Sequence, residues 1–184
     1  MSNSVIEYLK SKNICIIGFM CAGKTTFAQE LETILKNTLI HTDKLIEQKT
    51  NMTIDEIFKT QGEKQFRKIE RNILKDIVYE QSTQKKIIDT GGGLPISNIN
   101  RKIITALDSI NICLNPPFEL ILQRIKDAKR PPLYRKSRKY IFNVWTQRYF
   151  QYQKIAHITI TETEIENILK TLNERIEIWK RKEE

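Results

Sequence analysis

The segment Gly18-Phe19-Met20-Cys21-Ala22-Gly23-Lys24-Thr25 fits the pattern G-x-x-x-x-G-K-[ST] in full, and each fixed position meets a need of phosphate binding. The glycines let the loop turn its backbone N–H groups inward as a nest for phosphate oxygens. The helix that follows adds the positive end of its dipole. Lys24 is placed to reach the β- and γ-phosphates, and the Thr25 hydroxyl to hold Mg²⁺. The residues expected to bind nucleotide are Gly18, Cys21, Ala22, Gly23, Lys24, Thr25 and Thr26. The context agrees with the motif. The apolar run Asn13-Ile14-Cys15-Ile16-Ile17 precedes the loop, and Phe27, Leu31, Ile34 and Leu35 share a helical face after it. The motif implies a nucleotide but leaves the phosphate acceptor open.

Further residues able to do chemistry stand at intervals along the chain: Asp43, Arg67, the run Asp89-Thr90-Gly91-Gly92-Gly93, Arg124, Arg130 and Arg148. Most have two readings. Asp43 is a proton acceptor for a reacting hydroxyl, or the N-cap of a helix beginning at Lys44. Arg67 is a bidentate clamp for a carboxylate, or a partner of Glu63 or Glu70 along its own helix. Arg148 is a second clamp, or a surface residue of a basic helix. Gly91, Gly92 and Gly93 let backbone approach a ligand with no Cβ in the way, or form a flexible turn. Ile87-Ile88-Asp89 is an apolar strand ending in a carboxylate, a pattern that holds Mg²⁺ in P-loop NTPases. Alternatively, Asp89 caps the turn.

Taken together and in order, these segments resemble the shikimate kinase family, a small branch of the nucleoside-monophosphate-kinase-like P-loop group. The matching stretches are Asp43 after the second strand, Gly62-Glu63-Lys64-Gln65-Phe66-Arg67-Lys68-Ile69-Glu70 for G-E-x-x-F-R-x-x-E, and Thr90-Gly91-Gly92-Gly93 for T-G-G-G. Arg130-Pro131-Pro132-Leu133 stands at the R-P-L-L of a mobile lid, and Arg148, Tyr152 and Ala156 follow R-x-x-x-Y-x-x-x-A. The resemblance runs from Ile14 to about Glu162. It implies an ATP- and Mg²⁺-dependent kinase that phosphorylates the 3-hydroxyl of shikimate, in aromatic amino-acid biosynthesis. It also implies roles. Lys24, Asp43 and Arg130 are catalytic, Arg130 closing from the lid. Arg124 packs against adenine. Asp43, Arg67, Gly91, Gly92, Gly93 and Arg148 bind shikimate.

Three departures bear on this. His41 occupies the first position of the family's D-x-D, where a carboxylate normally holds a water of the Mg²⁺ shell. Asp89 occupies a position usually given to a small residue, so Asp89 with Thr25 is the expected metal pair, Asp89 supplying the missing carboxylate. Cys21 replaces a loop glycine, and Pro132 changes R-P-L-L to R-P-P-L.

The elements that must carry these residues are legible from periodicity. Strands are expected at 13–18, 39–41, 85–89, 109–114 and 157–161. Helices are expected at 24–35, 53–60, 63–79, 119–126 and 139–153, and from Ile165 on, with an amphipathic lead-in helix near the N-terminus. Gly62 separates two of them, and Thr53 with Glu56 forms a capping box. Strands alternating with helices imply an α/β fold with a parallel sheet. The expectation is a three-layer P-loop kinase fold with five parallel strands and a mobile lid at about 126–147, forming a single domain over residues 1–184. Ligands of such sheets bind beyond the carboxyl ends of the strands, where the motifs fall.

Composition narrows the remaining choices. Apolar residues make up 40% and charged residues 29%, a globular balance. No apolar run is long enough to span a bilayer, and the first thirteen residues do not have the make-up of a secretory signal. Three cysteines without a C-x-x-C pair, and two distant histidines, argue against a disulfide framework or a zinc site and for a reducing, cytoplasmic setting. The net charge of +9 raises the question of nucleic acid. The basic stretch 126–139 has few aromatics besides Tyr134, so a base-stacking platform is not expected. A monomer acting on a small molecule is expected. The rivals are a related kinase with another hydroxylated acceptor, such as a sugar acid, and a catalytically weak nucleotide- or nucleic-acid-binding module.

Overall fold

Alternation along the first strand sets the layers of the molecule. In β1 (Asn13–Gly18), Ile14 and Ile16 enter one apolar cluster while Cys15 and Ile17 enter another, as a side-chain period of two requires. A computed structural model describes residues 1–80, 82–127, 133 and 135–183. β1 is the middle strand of a five-stranded sheet with β2 (Thr38–His41), β3 (Lys86–Asp89), β4 (Ser109–Leu114) and β5 (Ile158–Ile160). The order is β2-β3-β1-β4-β5, and every pairing is parallel.

Helices cover both faces. On one lie α1 (Asn3–Lys10), α2 (Lys24–Leu35) and α8 (Ile165–Glu183), whose Val5, Leu9, Phe27, Leu31, Leu172 and Ile176 bury against Ile14, Ile16 and Ile112. On the other, α5 (Asn98–Ala106), α6 (Phe118–Asp127) and α7 (Arg138–Gln153) pack Ile104, Ile121, Ile125, Ile141 and Tyr152 against Cys15, Ile17 and Cys113. A third cluster joins α3 (Thr42–Thr50) and α4 (Ile54–Tyr79) to Ile88 through Ile46, Ile57, Phe66 and Ile73. Each fully buried Ile or Leu contributes about 1.5–3 kcal/mol, so three contiguous clusters hold the sheet ends firmly enough to aim side chains. This is the three-layer α/β fold with five parallel strands that the sequence predicts. No described helix is long and apolar enough to cross a membrane.

Some particulars match the expectation and others differ. As expected, Gly62 separates two helical stretches, which meet at a kink within α4 where Gly62 itself is non-helical at φ 77°, ψ 170°. Only glycine adopts that region without strain. The capping box ahead of it is formed, Thr53 Oγ1 accepting from Glu56 N (3.2 Å) and Glu56 Oε2 from Thr53 N (2.7 Å). The helix after β2 starts at Thr42 with His41 at its N-cap. Asp43 therefore sits inside the first turn and is not the cap of a helix from Lys44. Helix α5 and the 3₁₀ turn Leu94–Ile96 were not foreseen, because Asn98, Asn100 and Thr105 weaken the helical pattern. Within the expected lid interval, α6 ends at Asp127 and α7 begins at Arg138. Arg130, Pro131 and Pro132 lie outside the described residues.

Candidate active site

β1 has neighbours on both sides whose chain connections run in opposite directions, so a crevice opens beyond its carboxyl end. Gly18 closes the strand at φ 144°, where an added Cβ would run into the Leu114 carbonyl of β4. The loop then reaches Gly23, which caps α2 at φ 94°. Between them, Cys21 is held at φ 61°, a left-handed conformation in a non-glycine residue. Lys24 folds back over the loop, its Nζ donating to the Phe19 carbonyl at 2.9 Å. The side chain is nearly sealed, at 8% exposure. Burial lowers its pKa, while the charges of Asp89 and Asp43 work the other way. From α6, Arg124 Nη1 donates to the Cys21 carbonyl at 3.1 Å and braces the outer side of the loop. Ala22 is buried, and Thr26 is exposed on the first turn of α2.

The end of β3 supplies the facing wall. Asp89 is buried, as is Glu70 among the described residues, and Thr25 Oγ1 donates to the Asp89 Oδ2 at 2.7 Å. His41 Nδ1 lies 3.0 Å from the same oxygen. Strand register imposes this meeting, because Asp89 pairs with Ile16 of β1 on one side and with His41 of β2 on the other. Thr90 Oγ1 ties the next residue to the Ile16 carbonyl (2.9 Å), and Gly91 N donates to Thr42 Oγ1 (2.9 Å). The three glycines then pass close against their neighbours, so that an added side chain would have to displace something. An added Cβ on Gly91 would lie 2.5 Å from Asp43 Oδ1, and one on Gly92 would lie 2.9 Å from Met20 N. On Gly93 it would strike the Arg67 guanidinium. The 3₁₀ turn beyond is pinned by α5, with Arg101 Nη1 donating to the carbonyls of Pro95 (2.9 Å) and Ile96 (2.6 Å).

Arg67 satisfies both of its readings. It pairs with Glu70 (3.0 Å) and Glu63 (3.2 Å) along α4, and its guanidinium still lines the cleft. Glu70 is buried, which pushes its carboxyl above the ordinary range, with Arg67 opposing the shift. Arg148 of α7 rests its guanidinium 5.4 Å from the centre of the Phe19 ring. One turn on, the Tyr152 hydroxyl donates to the Gly92 carbonyl at 2.6 Å. Its pKa is raised, chiefly by burial.

The result is a cleft of about 1500 Å³ bordered by Lys24, Thr25, Asp43, Arg67, Asp89, Arg148 and the three glycines. Arg124 stands outside it, against the loop, and Arg130 lies outside the described residues. Sequence reasoning missed Thr42, Glu70, Arg71 and Arg101 as parts of this site, and assigned Tyr152 no role. Glu70 and Tyr152 stand at fixed positions of the quoted motifs and could have been singled out there. Thr42, Arg71 and Arg101 carry no local signal. Arg71, one turn along α4 from Arg67, lines the cleft with its Nε buried and unpartnered. Among the described residues no three His, Cys, Asp or Glu side chains gather to hold a metal. Thr25 with Asp89 still fits Mg²⁺, which takes one or two protein groups and fills its octahedron with water and phosphate oxygens. Lysine and a peptide nest suit a polyphosphate at one end of the cleft, and guanidinium groups over a glycine floor suit a small carboxylate at the other.

Comparison with known proteins agrees with this geometry. The sequence model of the family described as shikimate kinase matches residues 20–177. A shikimate kinase of Clostridium botulinum is 36% identical over 92% of this chain and 98% of its own length. One from Aquifex aeolicus is 33% identical over 77% of this chain and 82% of its own. The structure of shikimate kinase from Acinetobacter baumannii in complex with shikimate superposes with a TM-score of 0.82, at 29% identity over 94% of this chain and 97% of that one. A gluconokinase from Sinorhizobium meliloti, at 8% identity and a TM-score of 0.57, shares the fold alone. With a family model spanning most of its length and relatives above a third identical across nearly all of it, the chain belongs to the shikimate kinase family.

Proposed function

We propose that the chain transfers the γ-phosphoryl group of ATP to the 3-hydroxyl of shikimate. One observation carries the reading. The phosphate-loop lysine, a carboxylate held against a glycine floor (Asp43 over Gly91) and the guanidinium groups of Arg67 and Arg148 all face a single cleft.

The roles follow from position and charge. The loop N–H groups and the N-terminus of α2 hold the triphosphate. Lys24 exchanges its present partner, the Phe19 carbonyl, for phosphate oxygens, and its positive charge offsets the charge that develops as the phosphoryl group moves. Arg67 and Arg148 clamp the shikimate carboxylate, and the Glu63 and Glu70 pairs hold the Arg67 fork in plane. Asp43 orients the attacking hydroxyl and accepts its proton. Gly91, Gly92 and Gly93 let the ring of the acceptor lie on backbone. Arg124 stacks on adenine from the outer side of the loop, and Arg130 closes from the lid. Thr25, with Asp89 behind it, would hold Mg²⁺. When bound, the ion neutralises charge on the β- and γ-phosphate oxygens. The same reading makes residues 1–184 one kinase domain, a monomer acting in the cytoplasm, consistent with three cysteines that form no disulfide.

The test is ADP release by the purified chain with ATP and Mg²⁺, with and without shikimate, beside an Arg67→Ala control. Shikimate-dependent turnover that the control abolishes supports the reading. ATP binding with no stimulation by shikimate overturns the choice of acceptor.

A further inference from the structure

One side chain of the cleft has no part in these roles. His41 and Asp89 are paired residues of parallel neighbours β2 and β3, so their side chains leave the sheet on the same face. His41 Nδ1 lies 3.0 Å from Asp89 Oδ2, and that oxygen also accepts from Thr25 Oγ1 at 2.7 Å. A carboxylate only accepts, which puts the imidazole proton on Nδ1. With side-chain exposures of 16% for His41 and 8% for Asp89, little water competes for this bond.

We propose that His41 is a positioning residue for the cation end of the phosphate site, locking Asp89 in the one orientation that takes the Thr25 proton. A threonine hydroxyl has one proton and two lone pairs. With the proton committed to Asp89, both lone pairs are left for a divalent cation. Without the imidazole, the carboxylate has a stronger attraction nearby. Asp89 is the largest charge acting on Lys24, and a turn towards that ammonium would occupy the lysine that the phosphates need. A second carboxylate at position 41 could not do this work, because two like charges about 3 Å apart repel each other. The inference rests on the reading of the loop as an ATP–Mg²⁺ site.

The experiment is a titration of the full chain, saturated with ADP, with Mn²⁺, counting bound ion by electron paramagnetic resonance. Three variants are compared with the parent. His41→Asn places an amide nitrogen where Nδ1 stands. His41→Leu fills the space without a donor. His41→Gln sends its nitrogen to the more distant ring position and serves if the leucine variant does not fold. The Leu and Gln variants should bind Mn²⁺ about tenfold or more weakly, the usual cost of losing a partner behind a metal ligand, while Asn restores binding and metal-free ADP affinity does not change. In an Asp89→Ala background, the three should become indistinguishable. Equal Mn²⁺ affinity in parent, Leu and Gln variants overturns the inference and leaves the phosphate site standing. An equal loss with and without Asp89 overturns it too. Failure of the parent–ADP complex to bind Mn²⁺ overturns the reading of the site itself.

Discussion

Gly91 and Asp43 share a boundary with no spare volume: a Cβ on Gly91 would stand 2.5 Å from Asp43 Oδ1. The backbone of Gly91 does not have a positive φ, so space and not conformation requires glycine here. Gly91→Ala must therefore push the Asp43 carboxylate aside. The expected outcome is a folded protein whose kcat drops by about a hundredfold, the scale of an ångström-sized misplacement of a reacting group. ATP affinity should hold. Steady-state kinetics beside a nucleotide-binding titration would check this, and unchanged turnover would show that Asp43 does not act where it now points.

Glu70 gives a prediction in which stability and function part. Burial raises its folded-state pKa above the ordinary 4.5. Between that value and the raised one, the native state binds more protons than the unfolded state, so stability falls as pH rises through the window. Glu70→Gln removes this loss and keeps an acceptor for Arg67. Its melting temperature should vary less with pH than the parent's, because the titrating carboxyl is gone. Its shikimate KM should rise about tenfold, since Arg67 loses the charged partner that holds its fork. Melting curves across pH 4–8 with kinetics at neutral pH separate the two effects.

Where the sequence could be read and where it could not has a physical pattern. All five strands and the phosphate loop announce themselves: Ile14 to Ile17 are buried on both faces and read as an unbroken apolar run, and Ile110, Ile112, Cys113 and Leu114 are buried in β4. The pairing of Asp89 with Thr25 was accessible because Asp89 ends β3, the strand beside β1, and Thr25 opens the helix that follows the phosphate loop after β1. Thr42 could not be found this way. Its hydroxyl matters only because Gly91 N arrives beside it, and that depends on the register of β2 and β3. Arg101 likewise looks like a surface residue of a polar helix until the 3₁₀ turn presents two carbonyls to it. Arg67 shows the converse limit. Its spacing from Glu63 and Glu70 suggested a structural role as readily as a binding one, and the fold uses the pairs to aim the guanidinium.

Cys21 carries a backbone cost. At φ 61° it occupies the left-handed region, which costs a non-glycine residue about 1–2 kcal/mol. Cys21→Gly should relieve most of this, offset in part by the freer unfolded chain. The melting temperature should rise by about 2–4 °C per kcal/mol recovered. Cys21→Val should fall well below the parent, since a branched side chain tolerates that region worst. Because the Cys21 carbonyl also accepts from Arg124, nucleotide affinity should follow the same order. Calorimetry on the three proteins, with and without ADP, decides the matter.

Tyr152 tests whether the glycine floor is held from behind. Its hydroxyl is buried and donates to the Gly92 carbonyl at 2.6 Å, so α7, which also carries Arg148, is fastened to the loop that touches Asp43 and Arg67. Tyr152→Phe keeps the ring in its pocket among Ile17, Cys113 and Ile141 and deletes only the bond. The loss in stability should be about 1–3 kcal/mol, because the Gly92 carbonyl is left without its partner. If the bond serves only the core, kinetics should not change. If it sets the height of the floor, shikimate KM should rise while ATP KM holds, since the phosphate loop is braced separately by Arg124. The structure favours the second outcome. The carbonyl that Tyr152 grips belongs to the glycine packed against Met20 N, and any shift there moves the neighbouring glycines against Asp43 and the Arg67 guanidinium.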